Sequence, residues 1–461
     1  MLTLKDIRTV YFIGIGGIGM SALARYFKSQ DKQVSGYDKT PTPLTDALQQ
    51  EGIAIHFEEN LELIPKEVEL VVYTPAIPKD HTELVFYQQS GYTVMKRSEV
   101  LGVISRSSFN ICIGGTHGKT TTTTMVSHIL RHSGYGCNAF LGGISVNYET
   151  NFWSHSRNVS VIEADEYDRS FLRLQPDMAV ISSMDPDHLD IYGTEEALQD
   201  AFIEFSSKIK PGGVLFSKMG LKRGSALKAD HHFTYSLQND YADCYAANIR
   251  MHDGSYHFDI VLPGKVINGV TLHMGGMHNV ENAIAAIAVA NQLGIEEELI
   301  KDAVAAFRGV KRRFEYVVKN SRIIFVDDYA HHPEELRALI TGARTLFPQR
   351  KCTVVFQPHL YSRTNDLAGG FAESLDLADE TILLPIYPAR ELPMPGVSSG
   401  MVLDKMKMER KRLMEKPDLL EYIRNEFIPQ LNTEFGGLLI TAGAGDIDAL
   451  VPQIRKELER V

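Results

Sequence analysis

The segment Gly114-Gly115-Thr116-His117-Gly118-Lys119-Thr120 sets small residues before one lysine and one threonine, the parts needed to hold a phosphate. Backbone N–H groups of such a loop wrap phosphate oxygens, the lysine supplies positive charge, and the threonine hydroxyl is offered to Mg2+. The strict phosphate-loop formula places glycine at 113, where Ile113 stands, so the pattern is the shorter G-T-x-G-K-T. A chance glycine-rich turn is the alternative reading. Against it, an apolar run, Phe109 to Ile113, precedes the loop and a Thr-rich helix start follows it.

Two acidic clusters follow apolar runs, Glu163-Ala164-Asp165-Glu166-Tyr167-Asp168 and Asp185-Pro186-Asp187-His188-Leu189-Asp190. Metal ligands of a nucleotide site belong at the ends of neighbouring strands, where both clusters fall. Glu163 and His188 are the expected ligands there, and most of the other acids read as solvated turn residues. A carboxylate attacking ATP meets a repulsion of about 4 kcal/mol per close unit-charge pair at an effective dielectric of 20. Lys119 and Mg2+ then have the task of neutralising it.

A second glycine-rich turn, Gly14-Ile15-Gly16-Gly17-Ile18-Gly19, also follows a strand-like run, with Asp38 at roughly the spacing of a ribose-binding carboxylate. Alone it suggests NAD and an NAD-dependent oxidoreductase. An ATP loop in the same chain makes that awkward, and the turn suits any diphosphate at a helix N-terminus.

Around these loops the chain has 461 residues, 44% of them apolar and 23% charged, too many for one ordinary core at roughly 100–200 residues per domain. Three strand, Gly-turn, helix units begin at Val10, Phe109 and Gly437, as in parallel α/β folds. Further strands are expected at Val34 to Tyr37, Glu69 to Tyr73, Tyr92 to Met95, Val159 to Ile162, Met178 to Ser182 and Arg322 to Asp327. The alternation around Tyr256 to Leu262 predicts an antiparallel hairpin, and Ala283 to Ala290 and Glu296 to Phe307 predict helices. Ser105-Arg106-Ser107-Ser108 is the expected first join and Arg312-Arg313-Phe314-Glu315 the second.

The resulting expectation is an α/β protein of three domains. Residues 1–106 form a Rossmann-like N-terminal domain, 107–313 a central P-loop ATPase-like domain with a mainly parallel sheet, and 314–461 a Rossmann-like C-terminal domain. Net charge is −11 without a basic block, so neither nucleic acid nor an anionic membrane is an expected partner. Four scattered cysteines indicate neither disulfides nor zinc. Met1 to Asp6 lacks a charged leader with an apolar core, and no run approaches the ~18 residues of a membrane span, so a cytoplasmic protein is expected.

The whole chain resembles the Mur ligases of peptidoglycan synthesis. The matching segments are G-I-G-G-I-G-M-S at 14–21, G-T-H-G-K-T-T-T at 115–122, E-A-D-E at 163–166, D-P-D-H-L-D at 185–190, M-H-N-V-E-N at 277–282, R-R-F-E at 312–315, D-D-Y-A-H-H-P at 327–333 and F-Q-P-H-L-Y-S-R-T at 356–364.

The resemblance implies an ATP-dependent carboxylate-amine ligase working with Mg2+. Gly115, Thr116, His117, Gly118, Lys119, Thr120, Thr121, His278, Asn279 and Asn282 would hold ATP, and Thr120, Glu163 and His188 the metal. Arg313 would lie near the phosphates and, with Lys119, Glu163 and His188, would be a catalytic residue. Gly14, Gly16, Gly17, Ile18, Gly19 and Asp38 would bind a UDP-sugar, with Thr74 to Pro78 lining that site. Tyr329, His331, His359 and Arg363 would meet the amino acid, and residues around Tyr387 to Gly396 would contribute. The guanidinium of Arg363 suits bidentate grip of a carboxylate. Leu360 departs from the family, some members of which carry arginine there. Read alone, His278 and Asn279 are helix-capping residues and Arg313 a hinge salt-bridge partner.

The implied reaction joins L-alanine to the carboxylate of UDP-N-acetylmuramate through an acyl phosphate, in a monomer or weak homodimer. A recycled tripeptide is the alternative acceptor. Ser170 to Pro176 looks like the alanine-adding branch.

Overall fold

The computed structural model describes residues 4, 6–389 and 391–460, with the backbone alone at Leu189 and Asp190. The rest of Met1 to Lys5, and residue 390 in the segment Tyr387 to Gly396, lie outside the described residues. The chain forms two compact units. One comprises Met1–Ala247, Asp259–Val270 and Glu281–Val304, and the other Asn248–Phe258, Thr271–Val280 and Ala305–Val461.

The first unit opens with a five-stranded parallel sheet in the order Ala54–His56, Gln33–Tyr37, Thr9–Ile13, Leu70–Tyr73, Val94–Lys96. Val10 to Ile13 is an unbroken buried run of apolar and aromatic residues, as expected where helices cover both faces of such a sheet. The strand order reverses at its carboxyl end, where ligands of open α/β sheets bind, and the glycine turn 14–19 leaves the sheet there.

The central sheet has ten strands. Its core runs His231–Ser236, Val214–Lys218, Met178–Ile181, Phe109–Gly114, Val159–Ala164, Asn138–Ser145, all parallel, with Thr150–Trp153 antiparallel at one edge. At the other end follow Cys244–His252, Ser255–Leu262 and Lys265–Leu272. Two residues separate the first two of these, too few for the crossover a parallel pair needs, in keeping with the expected hairpin. Ser255–Leu262 alternates buried and half-buried side chains.

The second unit carries a six-stranded mixed sheet, Glu315–Lys319, Ile323–Asp328, Gly437–Ala442, Lys351–Phe356, Glu380–Leu383, Lys411–Leu413. All neighbours run parallel except the first pair. That antiparallel edge strand was not expected, since five residues of mixed polarity give little pattern to read. Ser105 to Ser107, expected as a join, form the last turn of the helix Arg97–Ser107. No helix among the described residues is long and apolar enough to cross a membrane.

Candidate functional site

The loop after strand Phe109–Gly114 bends where two glycines take positive φ, 139° at Gly115 and 79° at Gly118. A side chain at 115 would strike Ser182 Oγ, and one at 118 would lie 2.7 Å from Asn282 Oδ1. Both glycines therefore let neighbouring residues close on the loop. Ser183, just past the neighbouring strand Met178–Ile181, pins it: its Oγ accepts from His117 N at 2.7 Å and from Thr116 Oγ1 at 3.0 Å. The helix Lys119–His132 begins with no side-chain cap, which leaves its first N–H groups for an anion. Thr120 to Thr124 are all buried, Thr121 included, and Thr124 Oγ1 returns a hydrogen bond to Thr120 O at 2.7 Å.

Opposite charges meet across this loop. Thr120 Oγ1 donates to Glu163 Oε1 at 3.1 Å, and Glu163 Oε2 accepts from Gly142 N at 3.2 Å. Lys119 Nζ donates to Gly115 O at 2.6 Å and to Glu166 Oε1 at 2.8 Å, with Glu166 Oε2 at 2.7 Å. Glu166 is wholly buried. Burial pushes its carboxyl up, against the pull of Lys119 in the other direction. Asp165 faces Arg97 at 3.5 Å, and Asp168 faces Lys96 at 4.0 Å.

Glu166 corrects the reading of the acids beside Glu163 as solvated. The expected ligands also separate: Thr120 meets Glu163, while His188 gathers with Glu166 and Asp187. His188 Nε2 is 3.8 Å from Glu166 Oε1, and Nδ1 is 3.7 Å from Asp187 Oδ1. One ligand atom from each of these three lies within 4.8 Å of the others. His117 faces Asp185 at 3.8 Å, both exposed.

In the first glycine turn, Gly14 has φ 85° and Ile18 starts the helix Ile18–Ser29 after an uncapped Gly17. Asp38 turns inward on the turn itself, with Oδ2 accepting from Gly16 N at 2.7 Å and Oδ1 from Thr40 N at 3.2 Å. A Cβ at Gly19 would lie 2.5 Å from Arg97 Nη1, so a guanidinium covers this helix start. Sequence reading missed Arg97, which lies far along the chain.

In the second unit, His278 and Asn279 lie in the first turn of the helix Met277–Gln292. Asn279 Nδ2 donates back to Gly275 O at 2.6 Å, in the manner of a capping residue. Arg313 follows Arg312, whose guanidinium lies 5.0 Å over the Tyr329 ring and 3.6 Å from Asp327. Asp327 also accepts from Thr441 Oγ1 at 2.6 Å, and burial pushes its carboxyl up to about 7. Asp328, which accepts from Phe314 N and Ala330 N, is pushed up by burial to about 6.

Tyr329, His331, His359 and Tyr387 form a chain of rings, with centroids 5.3, 6.3 and 5.8 Å apart in turn. His332 turns away to accept from Glu334 N at the start of the helix Pro333–Leu346, so the adjacent histidines diverge. His359 is lowered by burial and then by the positive charges of Arg363 and His331. Arg363 Nη1 and His359 Nδ1 are buried with no hydrogen-bond partner among the described residues. Leu360 sits at φ 67°, its N–H on Tyr387 O at 2.9 Å. A cavity of about 280 Å³ beside Tyr361, Pro385 and Ser399 contains none of the four expected amino-acid residues.

Three α/β sheets, with a phosphate loop whose lysine and threonine face strand-end carboxylates, define a nucleotide-using enzyme of the multidomain α/β class. The chain belongs to the Mur ligase family. Residues 9–108 match the Mur ligase family catalytic domain, 113–290 the Mur ligase middle domain, and 312–445 the Mur ligase glutamate ligase domain.

A UDP-N-acetylmuramate–L-alanine ligase of Flavobacterium johnsoniae is 47% identical over 462 residues, covering 99% of each chain. The crystal structure of a UDP-N-acetylmuramate-alanine ligase from Thermotoga maritima matches with a TM-score of 0.82 at 29% identity, covering 99% of each chain. A murein peptide ligase from Psychrobacter arcticus shares the fold, with a TM-score of 0.67 at 21% identity over 98% of this chain and 99% of its own. The expected three-domain α/β architecture is the Mur ligase fold, and the family is one of ATP-dependent ligases.

Proposed function

We propose that this chain joins L-alanine to the carboxylate of UDP-N-acetylmuramate at the expense of ATP, in the cytoplasm, as a step of peptidoglycan precursor synthesis. The observation that carries the reading is the phosphate loop, with Lys119 on Glu166 and Thr120 on Glu163, in a chain similar over its whole length to ligases of that name. The domains proposed are 1–106 for the UDP-sugar, 107–313 for ATP and 314–461 for the amino acid.

The muramyl carboxylate attacks the γ-phosphorus of ATP, ADP leaves, and an acyl phosphate forms. The amine of L-alanine then adds to the acyl carbon, phosphate departs, and the amine loses its proton as the amide forms. The loop N–H groups from Gly115 to Lys119, with Thr121, hold the phosphates, and Lys119 offsets their charge. His278, Asn279 and Asn282 border the nucleotide, and Arg313 lies near the phosphates. Gly14, Gly16, Gly17, Ile18 and Gly19 seat the UDP diphosphate, while Asp38 fixes the turn through Gly16 N.

The hydroxyl of Thr120 and the carboxylate of Glu163, 3.1 Å apart, are hard oxygen donors that fit Mg2+, and His188 is the third proposed ligand. When bound, Mg2+ neutralises charge on the transferring phosphoryl group. His188 acts as a ligand and not as a base. Arg363 takes the L-alanine carboxylate, and Tyr329, His331 and His359 shape the place of its amine and methyl group.

Phosphate release measured with ATP, Mg2+ and UDP-N-acetylmuramate against L-alanine, glycine, L-serine and the recycled tripeptide tests the reading. L-alanine should give the fastest turnover. A clear preference for the tripeptide would move the chain to the murein peptide ligases, and binding of NADH would point to the first turn as a dinucleotide site.

A further inference from the structure

We infer that Arg97 grips the diphosphate of the UDP-sugar, and that Asp165 competes with the diphosphate for its guanidinium. This rests on the UDP-sugar reading of the first glycine turn given above.

Gly19 leads there. Gly14 in the same turn takes a positive φ, but Gly19 does not, and it sits in the first turn of the helix Ile18–Ser29. Alanine at such a position favours a helix, so the backbone itself does not call for glycine. The space that glycine leaves is filled instead by a side chain. A Cβ there would lie 2.5 Å from Arg97 Nη1, 3.1 Å from Cζ and 3.2 Å from Cδ. The guanidinium thus lies against the opening turn of a helix that has no side-chain cap and no acid in its first turn. Asp38, the acid turned toward this loop, is already taken up by Gly16 N and Thr40 N.

The fold makes little use of Arg97. Its side chain is 23% exposed, its guanidinium donates no hydrogen bond among the described residues, and its ion partner there is Asp165, with Oδ2 3.5 Å from Nη2. Asp165 is itself 38% exposed, and a pair so long and so wet holds weakly. A diphosphate at the helix start offers several oxygens to the five N–H donors of the fork, with the free helix N–H groups beside them. It therefore draws Arg97 from Asp165. Lys96 faces Asp168 of the same acidic segment at 4.0 Å, and Glu166, between the two acids, holds Lys119. Filling of the UDP-sugar site is thus felt one residue away from the carboxylate that holds the lysine of the phosphate loop.

Calorimetric titration of UDP into the full chain tests this in the native protein and in three variants. Arg97→Gln should weaken UDP about 10- to 100-fold. Gly19→Ala, which moves the guanidinium without removing it, should weaken UDP several-fold. Asp165→Asn leaves Arg97 and the glycine turn whole and should tighten UDP about three- to tenfold. A gain in affinity cannot come from a damaged fold. In the double variant Arg97→Gln with Asp165→Asn that gain should fall below about twofold, since the guanidinium over which the two anions compete is gone.

Native-like UDP binding in Arg97→Gln would overturn the grip, and UDP weakened or unchanged by Asp165→Asn would overturn the competition. No UDP binding by the native protein would instead overturn the UDP-sugar reading of the first turn.

Discussion

Around the phosphate loop the charged side chains already face their counterparts: Lys119 rests on Glu166, Asp165 on Arg97, and the Thr120 hydroxyl on Glu163. The C-terminal unit is arranged differently. Arg363 and His359 keep buried nitrogens without hydrogen-bond partners among the described residues, and the buried Asp327 has its nearest guanidinium nitrogen at 3.6 Å. A ligand entering the first region must exchange existing contacts, while one that meets Arg363 Nη1 and His359 Nδ1 adds bonds to nitrogens with no hydrogen bond to give up among the described residues. Damage to the first should therefore cost stability as well as activity, and damage to the second mainly binding.

The largest contrast is expected at Lys119. Lys119→Ala should lower phosphate release at least about a hundred- to thousandfold. It should also destabilise the protein by roughly 3–5 kcal/mol, because Glu166 is left buried and unpaired. Adding Glu166→Gln should restore most of the melting temperature and none of the activity. Near-normal turnover in Lys119→Ala would sink the role of the loop, and a double variant no more stable than the single one would break the pairing argument.

The loop could be read from sequence because its chemistry needs consecutive residue types, and the same holds for the first glycine turn. Glu166 could not, since nothing local separates it from the solvated acids beside it. Its partner Lys119 lies 47 residues away in sequence. Arg97 was hidden for a similar reason, and Asp38, legible as an acid at the expected spacing, turned out to bind the turn that it follows. In the C-terminal unit Tyr387 reaches His359 only through a parallel bridge between the two segments that follow neighbouring strands. The strands themselves were legible as apolar runs, but which loop faces which depends on their order in the sheet.

Asp327 sharpens the comparison through pH. Its carboxyl is raised from 3.8 to about 7 in the folded protein, so its stabilising contribution is full below pH 3.8 and is lost as pH rises through about 7. Asp327→Asn removes that loss while still accepting from Thr441. At about 1.36 kcal/mol per unit, the variant should be more stable than the native protein by roughly 2–4 kcal/mol at pH 8, with the gap closing toward pH 4. Denaturant melts at the two pH values measure it. A gap that stays constant with pH would show that Arg312 and Thr441 offset the burial of the Asp327 carboxylate in full.

At Arg363 the expected loss is in binding alone. Arg363→Lys keeps the charge and gives up the planar fork that matches a carboxylate. The L-alanine concentration for half-maximal phosphate release should rise about 10- to 100-fold, equivalent to roughly 1.5–3 kcal/mol. The melting temperature should not move, since Nη1 has no internal partner to lose. A fall in stability instead would place Arg363 with the paired charges of the loop.

The smallest effect concerns Leu360, a leucine held at φ 67°. Its N–H is fixed to Tyr387 O and its carbonyl receives Thr364 Oγ1 at 2.7 Å, so the backbone is clamped on both sides. A non-glycine residue in that region carries a strain of about 1–3 kcal/mol. Leu360→Ala and Leu360→Gly remove the same side chain and differ only in tolerance of positive φ. Ordinarily alanine is the more stable by about 0.5–1 kcal/mol. Here the order should invert, with the glycine variant melting higher by about 1 kcal/mol. Alanine melting higher would mean that the clamp is loose, and that this segment of the C-terminal unit is as adjustable in backbone as Arg363 and His359 are open in hydrogen bonding.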